Sequence, residues 1–223
     1  MVVAAGDDQV GHAPTVVRLK HDHFGSINKI SLGDTIVIRR NLREAAFGLR
    51  WFARWIAGHE ARSLRVLAGL DGLPRLLAFD ADRLDRSYIA GRPMQEAQPR
   101  DLAYFRAARR LLLAMHRLGV AHNDLAKEPN WLVRDDGRPA LIDFQMGWIS
   151  PSRSRFFRLL AREDLRHLLK HKRHYLPESL TPVERRVLAR RSWIARAWSN
   201  SGKRVYNFVT RRLLNYRDNE GRG

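Results

Sequence analysis

Gly119–Val133 reads GVAHNDLAKEPNWLV, and Leu141–Gln145 reads LIDFQ. A histidine, two aspartates and an asparagine therefore flank two short apolar runs: His122, Asp124 and Asn130 before or at the first, Asp143 after the second. An aspartate oriented by a nearby histidine can accept the proton of an attacking hydroxyl. An asparagine and a second carboxylate are hard oxygen ligands of the kind magnesium takes beside substrate phosphates. Together these are the parts that phosphoryl transfer needs: positioning, a metal and an acceptor for the hydroxyl proton. The alternative is a polar turn, with Asp124 capping and Asp143 satisfied by backbone amides.

What must position these groups is a hairpin. NWLVRDDGRPALIDF predicts two strands around an Asp-Asp-Gly turn, which returns Asp143 to the end of the ribbon where Asp124 and Asn130 lie. A long helix is predicted from Asp101 through LAYFRAARRLLLAMHRLG, ended by Gly119. Upstream, TVVRLKHD, INKISLG and DTIVIRR predict three strands. Residues 41–70 predict helix, with Phe47, Trp51, Trp55 and Ile56 at helical spacing and a break near Gly58. RLLAFDAD and RSYIAG predict another strand pair, and GRPMQEAQPR reads as a linker. Three basic helices follow: Arg155–His174, packed through Phe156, Leu159, Leu160, Leu168 and Leu169, a second with a Thr181–Glu184 capping box, and a third near Lys203–Tyr216.

HNDLAKEPN resembles the catalytic loop of the protein-kinase-like superfamily, and IDFQ resembles its D-F-G magnesium motif. The Gln145 variant and the short C-terminal region are most similar to atypical bacterial members: RIO-type kinases and the lipopolysaccharide core (Kdo and heptose) kinases. The resemblance implies an α+β, two-lobed fold with ATP and Mg2+ as cofactors. It implies Asp124 as catalytic base, His122 as a brace, and Asn130 and Asp143 as metal ligands. It divides the chain into a flexible N-terminus (1–14), an N-lobe (15–90), a hinge (91–100) and a mostly helical C-lobe (101–223). The loop departs from the family by one extra residue between Asp124 and Asn130. The family's third-strand Lys, paired to a helix Glu, aligns with Arg39 (or Arg40) and Glu60, and Lys29 on the preceding strand is a second candidate for touching phosphate. Of the glycine-rich loop only Gly25 and the amide of Ser26 are in place to cover phosphates.

The 223 residues can bury a real core and carry a net charge of +18. From Pro151 onward 19 Lys and Arg face 6 Asp and Glu, so the last third holds +13. Such a surface suits an anionic membrane or, secondarily, nucleic acid, and Trp193 and Trp198 fit a membrane interface. His167, His171 and His174 share a helix face, where the flanking cations favour phosphate over zinc. The chain lacks Cys, a secretory leader and a long apolar run, which points to a cytoplasmic protein, peripheral to the membrane at most. Walker-A, G-x-S-x-G and H-E-x-x-H patterns are absent. The expected acceptor is a hydroxyl on a glycolipid sugar or a protein Ser/Thr. The rival expectation is a catalytically inactive, pseudokinase-like basic scaffold.

Overall fold

In a computed structural model of the chain, residues 14–189 are described. β1 (Thr15–Asp22), β2 (Gly25–Leu32) and β3 (Thr35–Asn41) pair antiparallel in succession, with a bulge in β1 between Arg18 and Lys20. Their β-branched residues and tight turns favour this meander. Gly25 starts β2 at a φ of +112°, and a Cβ there would stand 2.1 Å from the Asn41 carbonyl oxygen. Only glycine lets the two backbones come this close.

A 3-10 turn, Phe47–Leu49, leads into α1 (Arg50–Val66), which runs unbroken through Gly58. The break expected there is absent, and Gly58 packs against the Phe79 ring, 3.6 Å from where a Cβ would be. The inward face consists of Ala53, Ala57, Ala61 and Leu64. The aromatic series points outward instead, with Phe47, Trp51 and Trp55 91%, 70% and 54% exposed. Small residues let the helix pack closely, and the rings stack on one another along the outer face, Phe52 to Trp55 at 5.6 Å.

β4 (Leu76–Phe79) and β5 (Arg83–Ser87) complete a five-stranded sheet of order β1-β2-β3-β5-β4. The segment expected as a linker is docked rather than free. It forms β6 (Arg92–Pro93), paired with the later strand at Leu132 and Val133, and α2 (Met94–Ala97), whose Met94 is fully buried. Asp101 caps α3 (Leu102–Arg117) by accepting from Ala103 N at 2.8 Å. Gly119 then turns the chain at φ +77°.

β7 (Val120–Ala121) precedes the predicted hairpin of β8 (Trp131–Val133) and β9 (Pro139–Leu141). β10 (Trp148–Ile149) returns to pair with β7. α4 (Arg155–Tyr175) follows, capped by Ser154 Oγ, which accepts from Phe157 N at 3.2 Å. It buries Phe157, Leu160 and Leu168, whereas Phe156 is half exposed and lies edge-on to Trp148. The main apolar cluster joins α1, α3 and α4 to the hairpin through Leu64, Phe105, Leu112, Trp131, Phe144 and Leu168, and a second packs Ala53, Ala57 and Ala61 of α1 against Leu42 and Leu84 of the sheet side.

The chain divides into two compact units, Met1–Ser179 and Leu180–Gly223. In the second, α5 (Pro182–Ala189) shows the capping box: Thr181 N donates to Glu184 at 2.8 Å, and Glu184 N to Thr181 Oγ1 at 3.2 Å. Trp193, Trp198 and the helix expected at Lys203–Tyr216 lie outside the described residues. Among the described residues no helix is long and apolar enough to cross a membrane.

Candidate active site

The hairpin register places the polar cluster. Trp131 pairs with Leu141, and just beyond this rung Ile142 N donates to Asn130 O at 3.1 Å. Asp143 is therefore next in the chain to a residue bonded to Asn130. Asn130 in turn donates through Nδ2 to the Asp124 carbonyl at 2.9 Å and to Asp124 Oδ2 at 3.2 Å. A 3-10 turn, Glu128–Asn130, ends the loop, and the Asp124 and Asn130 side chains meet despite the extra residue. Lys127 Nζ lies 3.0 Å from Asp124 Oδ2, a cation not singled out from the sequence.

Buried hydrogen bonds hold this loop from behind. His122 is fully buried and donates from Nε2 to the Ile142 carbonyl at 2.9 Å, and its ring lies 4.6 Å from that of Phe144. The residue that sequence reasoning missed is Asp164 of α4. Its carboxylate, 1% exposed, accepts from His122 N at 2.8 Å, Asn123 N at 2.9 Å and His116 Nε2 at 3.0 Å. One signal pointed to it: Asp164 lies in helical register with Phe157, Leu160 and Leu168, on the buried face of a basic helix.

His171 is buried and donates to the Leu125 carbonyl at 2.8 Å, and the Trp131 indole donates to the same oxygen at 3.2 Å. His171 thus positions the loop instead of presenting a ligand to solvent. Among the described residues no cluster of three or more His, Cys, Asp or Glu is arranged to hold a metal.

The cations differ from expectation. Arg39 forms a bidentate pair with Asp85, both bonds 2.8 Å, and does not meet Glu60. Glu60, fully buried on α1, is paired instead with Arg86 of β5. The reason is strand alternation. Arg39 and Asp85 share one rung and therefore one face, while Lys29, Ile38 and Arg86 share the neighbouring rung and the other face. Arg40, 7% exposed, lies on the same face as Arg86. Lys29 sits 4.4 Å over the Tyr88 ring, a cation–π contact on this face. Ser26 is fully buried and accepts from Asn28 Nδ2 at 3.3 Å beside Gly25, whose glycine is required by the approach to Asn41.

Asp143 adopts a left-handed conformation, φ 68° and ψ 71°, strained for a residue with a side chain. Gln145, the departure from D-F-G, donates to its carboxylate and so steadies it. Burial alone pushes the Asp143 carboxyl up. The positive field of Arg86, the Gln145 bond, Arg40 and His122 outweigh it and hold the carboxyl below the usual range. Asp143 is thus a half-buried carboxylate kept ionised, and Asn130 has its Oδ1 unspent. This donor set fits a small divalent cation.

No protein-family model and no curated protein matches the chain. Solved structures do. The Rio2 kinase of Chaetomium thermophilum, as its complex with ADP, Mg2+ and phosphoaspartate, superposes with a TM-score of 0.57 at 14% identity over 81% of this chain and 62% of that one. A further structure of the Rio2 kinase from Chaetomium thermophilum gives 0.57, 15%, 81% and 63%. The chain thus spans under two thirds of the length of these neighbours. The likeness places the fold as protein-kinase-like: an antiparallel N-terminal sheet with α1 beside it, followed by helices around the hairpin.

Proposed function

We propose that the protein is an ATP- and magnesium-dependent phosphotransferase acting on a hydroxyl. The observation that carries this is the Asp124–Asn130 bond at 3.2 Å, with an ionised Asp143 joined to the same hairpin end. In this reading 15–90 forms an N-lobe, 91–100 a hinge, and 101 onward a helical lobe. Asp124 accepts the proton as the acceptor oxygen attacks the γ-phosphorus, and the bond to the bridging oxygen of ADP breaks. His122 and Asp164 fix the loop, and Lys127 offsets negative charge beside Asp124. Magnesium would be held by Asn130 and Asp143 and would neutralise charge on the phosphate oxygens. Arg86, braced by Glu60, supplies the cation facing Asp143, with Arg40 and Lys29 on the same face. Gly25 and Ser26 form the nearest turn to the phosphates.

Within this class the acceptor is a lipopolysaccharide-type sugar or, as in a RIO-like serine/threonine kinase, a protein hydroxyl, and the protein works in the cytoplasm at the face of an anionic membrane. The neighbour's ADP and Mg2+ complex supports the cofactor reading. A second reading, a catalytically inactive scaffold binding anionic membrane or nucleic acid, is favoured by one observation: the glycine of the β1–β2 turn is committed to the Asn41 contact, and no second glycine stands beside it.

The test is magnesium-dependent ATP turnover with Asp124→Asn and Asp143→Asn. The kinase reading expects at least a hundredfold loss in each, with ATP-induced thermal stabilisation retained by Asp124→Asn. Absence of both turnover and an ATP-induced shift in the unaltered chain refutes it in favour of the scaffold.

A further inference from the structure

Behind the proposed catalytic loop, on the other side of the Asp164 bridge, α3 and α4 flank an open groove of about 720 Å3. Its rim carries four arginines from three places in the chain: Arg117 ends α3, Arg153 stands in the turn before α4, and Arg158 and Arg162 lie one turn apart on α4. No acidic residue lines it, and its floor is apolar, including Phe157 and Leu165.

Some exposed arginines of the described surface are neutralised locally: Arg43 by Asp82 at 2.7 Å, Arg83 by Asp80 at 3.2 Å, and Arg138 by Asp136 at 2.7 Å. Among the described residues none of the four groove arginines forms an ion pair with a carboxylate. Like charges at i and i+4, as in Arg158 and Arg162, repel one another. Four convergent guanidinium groups without a counter-charge are a ready receptor for an anion, and their planar forks match phosphate oxygens in pairs.

We infer that this groove is a second ligand site, separate from the proposed nucleotide site, which takes the phosphate monoester of a small molecule. The volume lies in the range of small-ligand pockets, and the apolar floor suits a ligand that carries carbon behind its phosphate. The site also has a route to the catalytic loop. His116 lines the groove and donates to Asp164 Oδ2, the same oxygen that receives His122 N.

The test uses the full chain and three probes at low salt: glycerol 3-phosphate, vesicles of phosphatidic acid in phosphatidylcholine, and a single-stranded RNA. Binding is compared among the unaltered protein, the pair R158Q/R162Q, and the pair R62Q/R65Q, which removes the same charge from exposed positions on α1. All three proteins are also followed by a thermal melt and an ATP titration, so that loss of fold or failure of the nucleotide site is seen separately. A tenfold or greater weakening of glycerol 3-phosphate binding in R158Q/R162Q, with under twofold in R62Q/R65Q, supports the site. The same selective loss on vesicles alone also supports it and identifies the source as a lipid headgroup. Equal weakening in both pairs, no binding of either phosphate probe, or selective loss of RNA alone overturns it.

Discussion

Asp164→Asn isolates the contribution of the buried bridge behind the catalytic loop. The native carboxylate accepts three hydrogen bonds of 2.8–3.0 Å while 1% exposed. An asparagine in its place offers one acceptor oxygen and turns an NH2 group towards the remaining donors. At least one and up to two of the three bonds are lost, and a buried backbone N–H is left facing a donor. Hydrogen bonds to a charged group are worth about 1.5–3 kcal/mol each, so the loss is roughly 3–5 kcal/mol. For a domain of this size a kcal/mol moves Tm by about 2–4 °C, which gives a fall on the order of 10 °C. Calorimetry or circular dichroism reads the shift, and His116→Gln, which keeps a side-chain donor and touches one bond only, should lose less than half as much. In the same variant, assayed well below its Tm, kcat should fall while KM for ATP holds, because the bridge orients the Asp124 loop and touches no nucleotide. A Tm within 2 °C of the unaltered protein, or a fall in which KM alone changes, refutes the reasoning.

Arg86→Met leaves Glu60 buried without its partner and should cost roughly 3–5 kcal/mol, read as a lower urea midpoint. Arg86 is also the leading cause holding the Asp143 carboxyl down, so the acidic limb of the activity profile should move to higher pH in that variant. Gly25→Ala should destabilise by at least about 2 kcal/mol through its contact with Asn41, whereas Gly33→Ala, with open space around it, should cost about 1 kcal/mol or less. His167 is pushed down to about 4, chiefly by burial, with Lys170 adding to the effect. Its unfolded value is higher, so the unfolded chain binds the proton first, and stability that is complete above about pH 6.5 declines as pH falls towards 4. The decline attributable to it is at most about 3 kcal/mol, and His167→Gln should flatten that part of a stability-versus-pH curve.

The strands, the long α3 with its Asp101 and Gly119 boundaries, and the hairpin around Gly137 were legible because each rests on local chemistry: alternation, capping and turn residues. The meeting of Asp124 and Asn130 beside the chain that carries Asp143 was legible for a related reason, since a hairpin brings its two ends together whatever its sequence says in between. The orientation of α1 was not. Aromatic spacing identifies a helix but not which side faces in, and here Ala53, Ala57 and Ala61 take the inside while Trp51 and Trp55 face out. Phe156 and Phe157 show the same limit at one residue's resolution. Pairings across the fold were less legible still. Glu60 finds Arg86 through the β3–β5 register, and Asp164 finds His122 over 42 positions of sequence, distances that no local pattern spans.

The Glu60–Arg86 pair bears on how a kinase-like fold can manage without a lysine on its third strand. A guanidinium is a rigid fork, and on β3 it would have to serve Glu60 and a phosphate from one fixed plane. Moved to β5, one Arg86 nitrogen is committed to Glu60, and the remaining charge acts on Asp143 across the same face of the sheet. Arg40 adds a second buried cation there, and Gln145 supplies the bond that fixes the carboxylate in its left-handed turn. Arg86, Arg40 and Gln145 thus act on one group, Asp143, and all three favour its ionised form. That joint effect is what the metal-binding role proposed for Asp143 requires.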